Sequence, residues 1–278
     1  MRARWRGRIA NMRTSPLTSD QFPFDHAEIA LDANGVNAMC GDVDQVFSLA
    51  SVTKPMAAWA ILIAVSQGEI SLDTPAGPEG STIAHLLAHA SGVGPDPSAP
   101  IARVGTKRIY SNYGYDLLAT AFEKETGVSA QEWMRTALFE PLGMVTATLN
   151  GSIAKDARGS ADDVAKFAAE LLHPTLLPPE LVTCATTPFL PGLSGVVPGY
   201  GRQADCQWGL GFEIRDHKAP HWTGSDFSPR TFGHFGQSGS FVFVDPDVGK
   251  AGVFVGAQPW GEVHAANWPA LTNAMRAC

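Results

Sequence analysis

A serine and a lysine stand three residues apart where the polar stretch "SLASVTK", Ser48 to Lys54, runs into the apolar stretch from Met56 to Val65. On a helix, residues i and i+3 share a face with Cβ atoms about 5–6 Å apart, so the Lys54 amine can reach the Ser51 hydroxyl. A serine hydroxyl attacks a carbonyl only when something takes its proton. A lysine can do so only where burial or neighbouring positive charge brings its pKa toward neutrality. The apolar run supplies burial, and the free N–H groups of a helix start favour a developing oxyanion. The competing reading is that Ser51 caps a helix and Lys54 points into water. The same spacing recurs at Ser152 and Lys155, between Asn150-Gly151 and Gly159, where no helical pattern carries it and a solvated loop is expected.

Two further short patterns bear chemistry. Tyr110-Ser111-Asn112 leads into a helical pattern. A phenol relays protons, and an amide both donates to a substrate carbonyl and accepts from a lysine; the alternative is a helix-start loop in which Asn112 caps and Tyr110 packs. His234-Phe235-Gly236-Gln237 stands directly before an alternating strand pattern, where glycine lets a substrate approach the strand edge. The N–H of Gln237 is then a candidate second oxyanion donor beside that of Ser51. Trp222-Thr223-Gly224 and Lys250-Ala251-Gly252 fit the same loose pattern, but the first is followed by no strand and the second sits in a predicted hairpin turn.

Other constellations carry less. His85 and His89 are four residues apart on a predicted helix, which is metal-ligand spacing, but no glutamate or third ligand accompanies them. Gly236-Gln237-Ser238-Gly239-Ser240 lacks the final glycine of a nucleophile elbow. Asp162 and Asp163 open a helix, where carboxylates suit the dipole. No metal or cofactor is expected.

Taken in order, Ser51-Val52-Thr53-Lys54, Tyr110-Ser111-Asn112 and His234-Phe235-Gly236 resemble the serine beta-lactamase and penicillin-binding-protein superfamily in its class C-like branch. That branch includes DD-carboxypeptidases, D-aminopeptidases and family VIII carboxylesterases. "TIAHLLAHASGV", "FEPLGM", "WGLGFEI" and "GSFVFVDPD" add to the resemblance, which covers about residues 25 to 275. It implies Ser51 as nucleophile, Lys54 as its activating partner and Tyr110 as general acid or base, with Lys54 and Tyr110 both open as the group that removes the serine proton. It also implies Asn112 as a substrate and lysine contact, and His234, Gly236 and Gln237 as the strand-edge substrate site. Class C beta-lactamases usually carry lysine where this chain has His234, and a histidine near neutrality is charged only in part. The expected substrate is therefore a small ester, amide or beta-lactam, with efficient beta-lactam hydrolysis in doubt. The alternative is a non-turnover penicillin-binding or ligand-sensing protein of the same fold.

These residues need a scaffold, and the patterning supplies one. Asn34-Gly35 marks a hairpin between two strands, and strand patterns return in "WGLGFEI", "SGSFVFVDP" and "KAGVFVGAQ". Between them the period is mostly helical: Lys54 to Val65, Ile83 to Ala90, Tyr115 to Thr126, Ser129 to Leu138 and Asp162 to Leu172, with "WPALTNAMRA" closing the chain. The fold class expected is α+β, one antiparallel sheet built from N- and C-terminal strands with flanking helices, plus a mostly helical insertion. Residues 1–20 read as a loose basic arm and 21–278 as one catalytic domain, with 21–70 and 203–278 forming the α/β part and about 71–202 the helical part. Leu176 to Arg202, rich in proline and glycine, is expected to be the longest irregular stretch.

The 278 residues carry a net charge of −7, which argues against a nucleic-acid partner. No run of eighteen apolar residues spans a membrane. Arg2, Arg4, Arg6, Arg8 and Arg13 precede no apolar run, so a cytoplasmic location is expected, with Cys40, Cys184, Cys206 and Cys278 as free thiols.

Overall fold

A computed structural model describes residues 21–278; the basic arm expected over residues 1–20 lies outside them. Among the described residues the strands are β1 (His26–Asp32), β2 (Gly35–Gly41), β3 (Val46–Ser48), β4 (Thr148–Leu149), β5 (Ala157–Ser160), β6 (Gly195–Val197), β7 (Gly201–Gln203), β8 (Glu213–Ile214), β9 (Phe232–Gly236), β10 (Ser240–Asp245) and β11 (Lys250–Gly256). The main sheet has six strands in the order β2-β1-β11-β10-β9-β8, antiparallel throughout, so the two ends of the chain build it together. The α+β sheet expected from the patterning is what forms. A smaller sheet, β3-β5-β4, and the hairpin β6-β7 stand beside it.

Strand alternation explains the layering. On β1 and β11, Ala27, Ile29, Leu31, Ala251, Val253 and Val255 join one core cluster, whereas Ala30 and Phe254 join another. β10 contributes Val242 and Val244 to the first and Phe241 and Phe243 to the second. A strand covered on both faces reads as a continuous apolar run.

The helices are α1 (Thr53–Ser66), α2 (Ile83–Leu87), α3 (Asn112–Thr126), α4 (Ala130–Met134), α5 (Glu140–Leu142), α6 (Ala161–Leu172), α7 (Pro179–Thr186) and α8 (Glu262–Ala277), with a π-turn, Arg135–Phe139, between α4 and α5. α1 is buried continuously from Thr53 to Ala64, because its sequence is apolar all round and such a helix belongs in a core. Pro55 falls in its first turn, where the missing N–H costs nothing. α6 shares the first cluster with α1, and Trp268, Leu271 and Met275 of α8 pack on the second.

Two expectations change. "WGLGFEI" yields only the two-residue β8, because Gly211 takes a φ of +96° and its backbone passes so close to α1 that a Cβ would meet that of Ala58. Leu176 to Arg202 is not one irregular loop: Pro178 and Pro179 start α7, and β6 and β7 pair. Within the stretch expected to be the helical part, α6 lines the same core as β1, β10 and β11. Among the described residues no helix is long and apolar enough to cross a membrane, and the four cysteines form no disulfide.

Candidate active site

Ser51 sits in a single 3-10 turn, Ala50–Val52, that feeds straight into α1. Ala50 adopts a φ of +41°, a conformation L-residues rarely hold, and this sharp elbow lifts Ser51 off the strand direction of β3. Ser240 Oγ donates to Leu49 O at 2.8 Å, Leu49 N–H donates to Ala157 O at 3.0 Å, and Thr53 Oγ1 donates to Ala50 O at 2.6 Å, so the elbow is tied on both sides. The capping position of α1 is Val52, with no side-chain cap. The Ser51 hydroxyl is thus not spent as a helix cap.

What holds it is the opposite wall. The Tyr110 hydroxyl donates to Ser51 Oγ at 2.7 Å, and Lys54 Nζ lies 3.3 Å from the same oxygen. Lys54 is fully buried on α1; its amine donates to Asn112 Oδ1 at 2.7 Å and to Ala154 O at 2.9 Å, and stands 4.5 Å from the Tyr110 ring centre. Burial pulls this amine well below the ordinary lysine range; the Asp116 carboxylate opposes the shift and the Lys155 ammonium adds to it. Burial pushes Tyr110 the other way, above the usual phenol value, against the hydrogen bond to Ser51. Asn112 is available to Lys54 because Ser111 is the N-cap of α3, its Oγ accepting from Gly114 N–H at 2.8 Å. The alternative in which Asn112 caps the helix does not form.

β9 brings the third pattern alongside. A Cβ on Gly236 would fall 2.5 Å from Leu49 O and 3.1 Å from Ser51 N, so only glycine lets this strand end pass the elbow so closely. Among the described residues, neither Ser51 N–H nor Gln237 N–H donates to a protein acceptor. Gln237 itself is exposed, its carbonyl accepting from Trp260 N–H at 2.9 Å.

His234 is buried on β9, between Tyr110 and Trp208 with ring centres 5.8 and 5.3 Å away. Its Nδ1–H donates to Phe235 O at 2.6 Å, which leaves Nε2 as a bare acceptor. Burial first, then the Lys54 charge, lowers this imidazole to about 3. The partial charge expected of it near neutrality is therefore absent.

Two contributors were not legible in the sequence. Ala154, whose carbonyl accepts from Lys54, belongs to the second serine-lysine match, "SIAK". Ser152 and Lys155 do line a loop there, with Lys155 exposed, yet Ile153 and Ala154 are fully buried. That loop is a wall of the site rather than a solvated excursion. His89 does not share a helix face with His85: α2 stops at Leu87, His89 has a φ of +56°, and its buried ring lies 4.7 Å from that of Tyr110. Among the described residues no group of three or more His, Cys, Asp or Glu is placed to hold a metal ion.

Comparison with known proteins places the chain in a family. A family model described as Beta-lactamase matches residues 30–274. A crystal structure of a beta-lactamase from Mycobacterium bovis is 46% identical, with a TM-score of 0.91 over 93% of this chain and 96% of that one. Penicillin-binding protein 4* of Bacillus subtilis is 26% identical over 190 residues, 55% of this chain and 41% of that protein. Esterase EstB of Burkholderia gladioli is 48% identical over 65 residues, 18% of this chain and 17% of that protein. The chain thus matches less than half the length of these last two relatives.

Proposed function

Because the chain belongs to the Beta-lactamase family, we propose that it is a serine hydrolase working through an acyl-enzyme on Ser51, with a small ester or amide as substrate. The observation that carries this reading is the convergence of the buried Lys54 amine and the Tyr110 hydroxyl on Ser51 Oγ, at 3.3 and 2.7 Å. A neutral amine has two N–H groups and one lone pair. In that form Asn112 Oδ1 and Ala154 O take both N–H groups, and the lone pair is left for the Ser51 hydroxyl 3.3 Å away. Burial favours the neutral amine and the neutral phenol, so Lys54 is the base and Tyr110 the acid.

Ser51 Oγ attacks the substrate carbonyl as its proton passes to Lys54. The oxyanion lies between the N–H groups of Ser51 and Gln237, which the close passage of Gly236 brings together. Collapse breaks the bond to the leaving group, which takes the Tyr110 proton, and Tyr110 recovers one from Lys54. Water then attacks the acyl-enzyme by the same route. Asn112 keeps its amide N–H groups for the substrate. In this reading residues 21–278 act as one catalytic unit.

His234 points the substrate preference toward uncharged acyl donors: a neutral ring offering an acceptor gives no fixed charge for a substrate carboxylate. Carboxylesterase activity is accordingly the leading reading, ahead of DD-peptidase or beta-lactamase activity. The esterase relative agrees with it. Intact-mass measurement after brief exposure to a p-nitrophenyl ester or a penicillin tests the nucleophile: one acyl adduct is expected, absent in Ser51→Ala. An adduct that survives Ser51→Ala overturns the assignment, and one that persists for hours indicates a binding protein rather than a hydrolase. Relative kcat/KM on a p-nitrophenyl ester, nitrocefin and a D-Ala-D-Ala peptide tests the substrate class, the ester being expected to lead.

A further inference from the structure

Tyr110 and Asn112 reach the candidate nucleophile from the extended segment that leads into α3, and such a segment holds a hydroxyl no better than its own anchors allow. We propose that His89 is a positioning residue for this site, clamping the extended Tyr110-Ser111 segment that leads into α3 and so setting the Tyr110 hydroxyl and the Asn112 amide against Ser51 and Lys54. The proposal rests on the reading of Ser51 as the nucleophile.

Three attachments carry it. Ile109 N–H donates to the His89 carbonyl at 2.8 Å, and Ser111 N–H donates to His89 Nδ1 at 3.2 Å, so one residue grips the chain on each side of Tyr110. Between those two bonds the imidazole packs on the Tyr110 ring at 4.7 Å, backed by Trp208 at 4.8 Å and Tyr115 at 5.3 Å. The left-handed backbone of His89, directly after α2, is what turns this ring inward.

The chemistry demands one form of the ring. A backbone N–H only donates, so Nδ1 must accept and the proton sits on Nε2. His234 holds the opposite tautomer on its own side of Tyr110, because its Nδ1 donates to a carbonyl. A charged His89 would lose the bond to Ser111. Full burial acts against that state. His89 makes no hydrogen bond to Ser51 or Lys54 among the described residues, so its influence runs through Tyr110 and Asn112.

Two variants separate clamping from mere packing. Asparagine adopts the left-handed backbone and places an acceptor where Nδ1 stands, whereas glycine adopts it with neither acceptor nor ring. His89→Gly is expected to slow single-turnover acylation by a p-nitrophenyl ester about 100-fold with KM little changed, and His89→Asn to recover most of that loss. A glycine variant that acylates at the wild-type rate overturns the proposal, as does an asparagine variant no better than glycine. Long-range ¹⁵N–¹H correlation spectra of the wild-type protein are expected to show His89 neutral with its proton on Nε2; an Nδ1–H or charged ring at neutral pH overturns the clamp. Those spectra need no turnover. A wild-type protein without Ser51-dependent acylation therefore removes the hydrolase reading, while the tautomer still decides the clamp.

Discussion

Lys54 owes its proposed reactivity to what surrounds its amine. Of the charged groups acting on it, Asp116 raises its pKa and Lys155 lowers it, on top of the dominant effect of burial. Lys155→Glu exchanges a repelling cation for an anion, so the folded-state pKa of Lys54 rises and less of the amine is neutral at a given pH. The acidic limb of the kcat/KM profile is expected to move to higher pH, with the plateau retained; an unmoved or lowered limb means that Lys54 does not set it. His234 titrates at about 3 and is expected to contribute no inflection near neutrality. At this scale the sequence named the residues but not their states. Ser51, Lys54, Tyr110, Asn112 and His234 do meet, whereas the opposite directions in which burial moves Lys54 and Tyr110, on which the proposal of Lys54 as base rests, could not be read from it.

α1 and β9 are the two elements that make the site. α1 carries Lys54 and its apolar faces lock it in the core, while the strained elbow before it presents Ser51. β9 must then pass the elbow without a side chain at Gly236. Gly236→Ala pushes a methyl against Leu49 O and Ser51 N, displacing the strand end that presents Gln237 N–H. Acylation is expected to fall about 10²–10³-fold, the cost of losing an oxyanion donor, with circular dichroism showing a folded chain; wild-type acylation in this variant removes the oxyanion role. α1 was legible from its apolar run and its boundaries fell close to the expected ones. β8 was not, because the tight contact of Gly211 with Ala58 interrupts a strand-like pattern and belongs to the packing of two distant segments.

Across the whole molecule, both chain ends meet in one sheet, and its β8 edge is fastened by a buried ionic cluster. Glu213 Oε2 accepts from Trp222 Nε1–H at 2.8 Å, while Oε1 lies 3.4 Å from Lys218 Nζ and 3.3 Å from His221 Nε2. Burial opposes the Glu213 charge, but Lys218 and His221 outweigh it and hold the carboxyl well below its usual range. A depressed carboxyl contributes stability that is fully present above its unfolded pKa of about 4.3 and is lost as pH falls through the folded value. Glu213→Gln removes the carboxylate beside the buried Lys218, whose amine keeps only the Gln207 and Ile214 carbonyls, and is expected to cost about 3–5 kcal/mol, read as a lower urea midpoint at neutral pH. A shift under 1 kcal/mol would mean that Lys218 finds compensation elsewhere.

Alternating apolar residues around Asn34-Gly35 and in the last two strands were enough to specify an antiparallel sheet from both termini, since strand period and turn chemistry are local properties. Three short motifs in order were enough to point to the Beta-lactamase family. Proton positions were another matter. Lys54 draws acceptors from Asn112, 58 residues away, and Ala154, 100 residues away. His234 loses its charge to a wall formed by Tyr110 and Trp208. Protonation follows desolvation and the saturation of hydrogen bonds, and both depend on groups that only the tertiary structure brings together.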